Sequence, residues 1–112
     1  MPEQNAGGFR HLVTLERPAR TVNERGISEP GWEPVGSYRA AKRGLTGREF
    51  FDAAAAKQQD IVIFYLRTGI EADASMRLVY KGKPHDIYSV REVDADGAAR
   101  QEIRARLTEV RK

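Results

Sequence analysis

Histidines are the residues best suited to acid–base or metal chemistry in this chain, which contains two of them. His11 and His85 lie far apart in the sequence, and neither has a partner at metal-ligand spacing. Asp86 follows His85 directly, but neighbouring residues of a strand point to opposite faces and do not form a dyad. The chain has no cysteine, which removes thiolate nucleophiles and thiolate zinc sites. We therefore predict no catalytic site, no metal site, no cofactor and no enzymatic activity.

Basic residues are the second kind of chemistry that the sequence offers, because Lys and Arg bind the phosphates of nucleic acids. They form two groups, which are Arg39, Lys42, Arg43, Arg48 and Lys57, and then Arg100, Arg104, Arg106, Arg111 and Lys112. Glu102 and Glu109 interrupt the second group, and the formal net charge of the chain is only +3. A solvated charged face explains this pattern better than a specific nucleic-acid site. A small Arg-rich nucleic-acid-binding module remains an alternative function.

The elements that must position these residues begin with two strands. Residues 12–17 are rich in β-forming side chains, and Pro18 is expected to end the first strand. Residues 19–34 carry two prolines and two glycines, which predicts a long loop or a loose hairpin connection. The single tryptophan, Trp32, is expected to fold back from this loop against the edge of the core. A second strand is predicted over residues 38–45.

A helix start is the clearest local signal in the sequence. Thr46 and Glu49 have the spacing of a capping box, in which each side chain bonds the backbone N–H of the other residue. Residues 50–59 follow, and four successive alanines among them favour a short helix because alanine loses no side-chain entropy. The sequence therefore predicts one helix between the second and third strands, ending at Asp60.

Four further strands are predicted in the second half of the chain. Residues 61–66 are apolar on both faces, which is typical of a central strand or of a strand with one face against a partner. Residues 76–80 and 85–90 flank a turn and are predicted to form a hairpin. Residues 100–110 fit both the helical and the strand period. We assign them to a sixth strand because a tight turn at residues 94–97 precedes them.

The predicted fold class is mainly β: a small six-stranded antiparallel β-barrel with one short α-helix inserted between the second and third strands. Closure of the sheet removes exposed strand edges. A flexible lead-in of residues 1–9 is expected before a single domain of residues 10–112, since 112 residues leave room for one core. No apolar run reaches the roughly 18 residues of a membrane span. The N-terminus also lacks the pattern of a signal peptide, so we expect an intracellular product or a part assembled there.

Apolar residues outside the expected core favour contacts between subunits. The strand at residues 61–66 offers two apolar faces, and Phe50 and Phe51 stand together at the start of the predicted helix. Such residues, with an Arg-rich surface around them, are typical of interfaces. The pattern alone therefore indicates a small β-barrel and leaves its role open, with a part of a larger assembly as one option.

Several short motifs follow one another over residues 9–110. They are RHLVTLER at 10–17, GW at 31–32, TGREFFDA at 46–53, FYLR at 64–67, GI at 69–70, MRLVY at 76–80, KGK at 81–83 and DIY at 86–88. In this order they resemble the phage head–tail joining family, whose members are also called head-closure, stopper or head–tail adaptor proteins. The resemblance covers nearly the whole chain and implies a small β-barrel.

The resemblance also implies a structural protein of the virion neck, assembled in the host cytoplasm and without contact with a membrane. Such a protein forms a ring with itself, of six- or twelve-fold symmetry. The portal or adaptor ring lies above it, and the tail terminator or the tail tube lies below. The ring extends the channel for packaged double-stranded DNA and retains this DNA in the head. The neighbouring tail-terminator role is the alternative within the same resemblance.

The resemblance further assigns roles to residues between the second and third strands, because the family places a channel-facing segment there. Channel-facing or DNA-facing residues are then expected to be Arg43, Arg48 and Lys57. Contacts with other subunits or with the adaptor are expected from Thr46, Gly47, Glu49, Phe50, Phe51 and Trp32. Either the helix at residues 46–59 or the loop at residues 19–34 would gate the channel or reach a neighbour.

Overall fold

Six antiparallel strands close into a barrel in a computed structural model, which describes residues 8–55, 60–95 and 97–108. The strand order around the barrel is β1-β2-β3-β6-β5-β4, and β4 closes the ring by pairing with β1. The predicted fold class is confirmed, with one helix among the described residues, between β2 and β3. The elements are β1 (His11–Val22), β2 (Ser28–Arg43), α1 (Gly47–Ala55), β3 (Ile61–Arg67), β4 (Arg77–Tyr80), β5 (Lys83–Ala95) and β6 (Ala98–Leu107).

The first hairpin extends beyond the barrel that it helps to close. β4 pairs with β1 only at Val13–Glu16, and β3 pairs with β2 only at Ala41–Arg43. The outer parts of β1 and β2 therefore pair with each other alone. We call this projecting part, residues 17–33, the arm. It contributes to the elongated shape of the molecule, which measures 51 × 32 × 21 Å.

The prediction that Pro18 ends the first strand is wrong, and of the two alternatives for residues 19–34, a long loop or a hairpin connection, the structure shows a hairpin. β1 continues through Pro18, which pairs with Trp32 on β2, and a turn at Asn23–Ile27 reverses the chain. Each strand of the arm has one edge without a strand neighbour among the described residues. Proline is tolerated in such edge strands because its missing N–H leaves no ladder bond broken. The second strand accordingly begins earlier than predicted, at Ser28.

Apolar side chains from all six strands fill the interior of the barrel. They alternate with outward-facing residues, as the two-residue period of a strand requires. Phe64 is the largest of the fully buried side chains, and its ring meets that of Tyr80 edge-on at a centroid distance of 5.6 Å. The buried cluster consists of Val13, Leu15, Ala40, Phe64, Leu66, Met76, Leu78, Tyr80, Ile87, Ile103 and Ala105.

Strand β3 is buried on both of its faces. Phe64 and Leu66 point into the barrel, whereas Ile61, Ile63 and Tyr65 belong to a second cluster on the outer face. Partly buried side chains from other parts of the chain cover this outer face, and they are Phe9, Leu45 and Val93. The apolar double face predicted for this strand is thus largely satisfied within the chain.

The turn between β4 and β5 consists of two residues with positive φ. Lys81 has φ of 53° and Gly82 has φ of 75°, as in a type I′ turn.

We expect Gly82→Ala to lower the free energy of unfolding by about 1 kcal/mol, because a Cβ disfavours this backbone region. Urea unfolding measures the change. Gly47→Ala is the control, since Gly47 starts α1 with open space beside its Cα and should not destabilise; an equal loss in both variants would contradict the explanation.

Candidate interaction site

Helix α1 begins at the predicted capping box. The backbone N–H of Thr46 donates to Oε1 of Glu49 over 2.9 Å, and the backbone N–H of Glu49 donates to Oγ1 of Thr46 over 3.2 Å. These two bonds satisfy two of the N–H groups that a helix start leaves free. The capping box is confirmed, and the helix is described as far as Ala55. The rest of the predicted helix, residues 56–59, lies outside the described residues.

Glu49 also fastens the helix to the outside of the barrel. Arg43, at the end of β2, donates from Nη1 and Nη2 to the two carboxylate oxygens of Glu49, over 2.7 and 3.2 Å. Arg104, on β6, donates from Nη2 to Oε2 of the same carboxylate over 3.2 Å. One side chain therefore caps the helix and pairs with two strands. This carboxylate therefore links α1 to both β2 and β6.

A second carboxylate, that of Glu102 on β6, extends these contacts. Glu102 is buried and accepts hydrogen bonds from Arg91 over 2.9 Å, from Arg104 over 3.3 Å and from the Tyr65 hydroxyl over 3.2 Å. The Tyr65 hydroxyl in turn accepts a bond from Nε of Arg43 over 3.0 Å. We call this continuous set on the outer face of the barrel the ion-pair network; its members are Arg43, Glu49, Tyr65, Arg91, Glu102 and Arg104.

The ion-pair network favours the ionised form of both carboxylates. Hydrogen bonds from Arg43, and then from a backbone N–H, hold the pKa of Glu49 well below its ordinary range. The bond to Glu49 likewise raises the pKa of Arg43. Burial alone would raise the pKa of Glu102, but the hydrogen bonds and charges of Arg91 and Arg104 outweigh it and lower this pKa. Both carboxylates are therefore charged at neutral pH.

Two phenylalanines stand exposed on the anchored helix. Phe50 is 45% exposed and Phe51 is 76% exposed, and their rings meet edge-on at a centroid distance of 6.2 Å. No residue of α1 is buried. A surface helix ordinarily buries one apolar face against its own core. In this helix, much of the apolar surface of Phe50 and Phe51 is instead exposed to solvent.

Glu49→Gln separates capping from ion pairing, because glutamine still bonds the Thr46 N–H but carries no charge. We expect the protection factors of the α1 amides to fall about tenfold while those of β3 and β6 hold, since a helix that buries nothing opens locally. Hydrogen exchange followed by NMR measures both. Asp52→Asn is the control, because Asp52 is exposed on the same helix outside the ion-pair network. Equal losses in the two variants would argue against the anchoring role of Glu49.

Lowering the pH is expected to act on the wild type in the same direction as Glu49→Gln. The folded-state pKa of Glu49 lies below its ordinary value of 4.5. The stabilisation is therefore fully present above that ordinary value and is lost as the pH falls and the carboxylate is protonated. Protection of the α1 amides should decline in acid in the wild type and change less in the Gln variant.

The other predicted site residues lie in different places. Arg48 is exposed on α1, Arg43 is engaged in the ion-pair network, and Lys57 lies outside the described residues. Trp32 lies on the arm, where the guanidinium of Arg77 stands 4.7 Å from the centre of its ring. Trp32 is 37% exposed and does not belong to either buried cluster. The structure brings together Thr46, Gly47, Arg48, Glu49, Phe50 and Phe51 at the start of α1.

Both histidines make contacts within the barrel. Nδ1 of His11 lies 2.8 Å from the Tyr80 hydroxyl, and Nδ1 of His85 lies 2.9 Å from the backbone oxygen of Lys83. The ring of His85 also meets that of Phe64 edge-on. Nowhere in residues 8–55, 60–95 and 97–108 do three or more potential metal ligands converge. Within those same ranges, no helix is long and apolar enough to cross a membrane.

Glu102 and its partners are not predicted from the sequence, in which Glu102 only interrupts a group of basic residues. The strand period carried a usable signal: Glu102 and Arg104 alternate with Ile103 and Ala105, so the apolar pair faces inward and the charged pair shares the outer face. The residues of neighbouring strands that meet this charged pair follow only from the pairing of the strands.

The barrel, with its inserted helix, has the fold of known solved structures. It is similar to the solution structure of protein SF1141 from Shigella flexneri 2a, with a TM-score of 0.68 and 19% identity, over 92% of this chain and 96% of that chain. It is also similar to a chain of the virion of a native gene transfer agent particle, with a TM-score of 0.52 and 15% identity, over 88% of this chain and 94% of that chain. No curated protein matches the sequence significantly.

The family to which the chain belongs is identified from its amino-acid sequence. Residues 4–109 match the family of phage head completion proteins. The match spans nearly the whole chain, and the chain belongs to this family. It is therefore a structural protein of a phage-type virion, which confirms the resemblance carried by the motifs.

Proposed function

We propose that the chain is a ring-forming head-closure, or stopper, protein in the neck of a tailed phage or phage-like particle. In this role it joins the portal or adaptor ring to the tail, extends the DNA channel and retains packaged DNA. One observation carries the proposal: the anchored helix α1 presents Phe50 and Phe51 to solvent while none of its own residues is buried. Membership of the phage head completion family supplies the setting.

The exposed helix is suited to contacts between copies of the chain. A fully buried aromatic side chain removes about 150–250 Å² from water, and aromatic residues dominate the energetic centres of interfaces. The ion-pair network already holds α1 in place, so little ordering entropy is lost when a neighbour binds. A closed ring forms when each copy presents the helix to a different surface of the next copy. We propose such a ring, with six or twelve copies.

The DNA-facing role is also part of the proposal. Arg48 is exposed on α1 and pairs with no carboxylate among the described residues, so its full charge is available to phosphates. Arg43 shares its charge with Glu49, so its attraction for phosphates is weaker. Lys57 is proposed on the resemblance alone. A net charge of +3 per chain would attract DNA without holding it fast, as a channel requires.

The test replaces both aromatic rings, as Phe50→Ser with Phe51→Ser, in particles that are otherwise complete. Phe50→Tyr with Phe51→Tyr is the matched control, because it keeps both rings and most of their apolar area. We expect the serine variant to fold normally by circular dichroism, since both side chains are exposed. Particles assembled with it should lose packaged DNA and carry no tails in electron micrographs. The tyrosine variant should retain DNA and tails.

Other outcomes separate the alternatives. Full heads with tails attached in the serine variant would overturn the proposal. Full heads beside tails of irregular length would indicate a tail-terminator role instead. A free nucleic-acid-binding module would bind duplex DNA as an isolated protein, with an affinity that falls steeply as salt is added. A stopper should bind DNA weakly on its own, with a shallow dependence on salt.

A further inference from the structure

The two faces of the arm differ in their chemistry. Directly opposed residues of paired strands share a face, and so do alternate residues along one strand. The pairing of β1 with β2 therefore places on one face Pro18, Arg20, Val22, Ser28, Pro30 and Trp32. We call this the apolar face of the arm, since proline, valine and tryptophan dominate it. The opposite face is polar and carries an ion pair between Arg17 and Glu33.

The apolar face is exposed in the single chain. Val22 is 71% exposed, Trp32 is 37% exposed, and Pro18 and Pro30 are also exposed. The arm projects beyond the barrel, where its two strands pair with each other alone. A ribbon in water gains nothing from an apolar side unless another surface covers it, and exposed apolar patches mark interaction sites. The difference between the two faces therefore indicates that the apolar face is covered in the assembly.

The edges of the arm are poorly suited to the addition of an extended strand. An added strand needs backbone N–H donors along the edge that receives it. Pro18 on β1 and Pro30 on β2 have no N–H, and proline on an edge strand is one of the means by which proteins prevent strand addition. We therefore expect the partner to contact the side chains of the apolar face.

Arg20 gives the apolar face a positive charge. Its guanidinium donates to Oγ of Ser28 over 3.1 Å and to the backbone oxygen of Ser28 over 2.9 Å. Within residues 8–55, 60–95 and 97–108 it forms no ion pair with a carboxylate. Two arms that met through their apolar faces would bring two such charges together without neutralising them. The apolar face thus fits a partner that combines apolar side chains with a negative charge.

Helix α1 offers this combination. Phe50 and Phe51 are exposed on it, and the adjacent Asp52 is exposed as well. The arm contains the beginning of β2, whereas α1 follows its end. The strand between Trp32 and Arg43 is about 36 Å long, at about 3.3 Å per residue. The helix of one copy therefore does not reach the arm of the same copy, and a contact between these two surfaces requires two copies.

We propose that the apolar face of the arm receives helix α1 of a neighbouring copy. The two phenylalanine rings of the helix pack against Pro30 and Trp32. The carboxylate of Asp52 pairs with Arg20, which lies opposite Pro30 in the arm. Each copy contributes both surfaces, so the contact is head-to-tail, which is the kind that closes rings. This inference rests on the proposed function and identifies the surface that α1 contacts.

The test joins the two surfaces by a disulfide in assembled particles. The chain has no cysteine of its own, so Arg20→Cys with Asp52→Cys introduces a single pair. A disulfide needs two Cβ atoms about 4 Å apart. We expect mild oxidation to link successive copies into a ladder of dimers, trimers and longer chains in non-reducing electrophoresis. Each cysteine variant alone should stay monomeric.

Glu29→Cys with Asp52→Cys is the matched control. Glu29 is exposed and lies next to Pro30 along the arm, but on the polar face. This pair should therefore lose the ladder. Circular dichroism of the reduced, isolated chains confirms that each variant is folded.

An exchange of charges tests the contact if the cysteines prevent assembly. Arg20→Asp and Asp52→Arg each place like charges together and should lower the yield of tailed particles about tenfold. The double variant restores an opposite pair and should restore the yield.

The proposal is wrong if the Arg20 and Asp52 cysteines give no ladder, or if the Glu29 control gives an equal one. Dimers from a single cysteine variant would also contradict it, because they would show that identical surfaces meet. Where no particles assemble with cysteines, failure of the charge exchange to restore the yield contradicts it. Loss of DNA and tails in the Phe50 and Phe51 serine variant, without a ladder here, would support the stopper role and reject the arm contact. A ladder beside intact serine particles would give the reverse result.

Discussion

Replacing Phe64 by alanine is expected to lower the free energy of unfolding by about 3–5 kcal/mol, the largest effect of any single truncation that we predict. Phe64 is fully buried at the centre of the barrel, where its ring meets those of Tyr80 and His85. Truncation removes the buried ring from all of these contacts. It also leaves a cavity, because paired strands cannot move inward without breaking their ladders.

Urea unfolding at neutral pH measures the effect, and Phe51→Ala is the control. Phe51 is 76% exposed in the single chain, so its truncation should change the free energy of unfolding by less than about 0.5 kcal/mol. Both variants lose a phenylalanine side chain, which is buried in the core at position 64 and exposed on the helix at position 51. A loss below about 1 kcal/mol for Phe64→Ala would mean that the barrel interior collapses around the missing ring.

Replacing Glu102 by glutamine is expected to lower the free energy of unfolding by about 1–3 kcal/mol. Glutamine keeps the shape of the side chain but leaves Arg91 without its carboxylate partner and leaves Arg104 paired with Glu49 alone. The loss stays below that of a fully buried pair because the side chain of Arg91 is 63% exposed and solvent compensates in part. Tyr65 can still donate to the amide oxygen of glutamine.

The same substitution is expected to change the dependence of stability on pH. The pKa of Glu102 is lowered in the folded chain from an ordinary value of 4.5. Its contribution is therefore complete above that value and is lost as the pH falls. The difference between the wild type and Glu102→Gln, measured by urea unfolding, should be largest at neutral pH and shrink in acid. The exposed Glu71 offers the control Glu71→Gln, and a similar difference there would contradict the role of the network.

Local signals in the sequence predicted local structure well. The capping box at Thr46 and Glu49 depends on residues three apart, so its two hydrogen bonds form wherever a helix starts there. The hairpin turn at Lys81 and Gly82 and the turn before β6 likewise lie within a few residues of the strands that they join. The barrel followed from the number of strands and from the need to remove their edges.

The extent of β1 could not be predicted in the same way. Pro18 ends a strand when both edges of that strand are paired, and it is tolerated when one edge is open. The sequence around Pro18 does not show which case applies. Only the position of β4, which pairs with β1 no further than Glu16, leaves the edge open at Pro18. For this reason residues 17–33 form a paired arm, which is the hairpin alternative to the long loop.

In the candidate site, too, features that depend on neighbouring residues could be predicted and contacts between distant residues could not. Phe50, Phe51 and the helix start were found from sequence, because they lie next to one another in the chain. The ion-pair network was not, because Glu49, Arg91 and Arg104 come from three different elements. Their charges meet only after β6 pairs with β3 and β5.

The sequence by itself determined the mainly β fold, the single described helix and, through its ordered motifs, the family. It did so because period, capping and turn chemistry act between residues close in the chain. The tertiary structure alone decided which charges are neutralised at Glu49 and Glu102. Those outcomes depend on strand register, and register brings together residues that no local pattern connects.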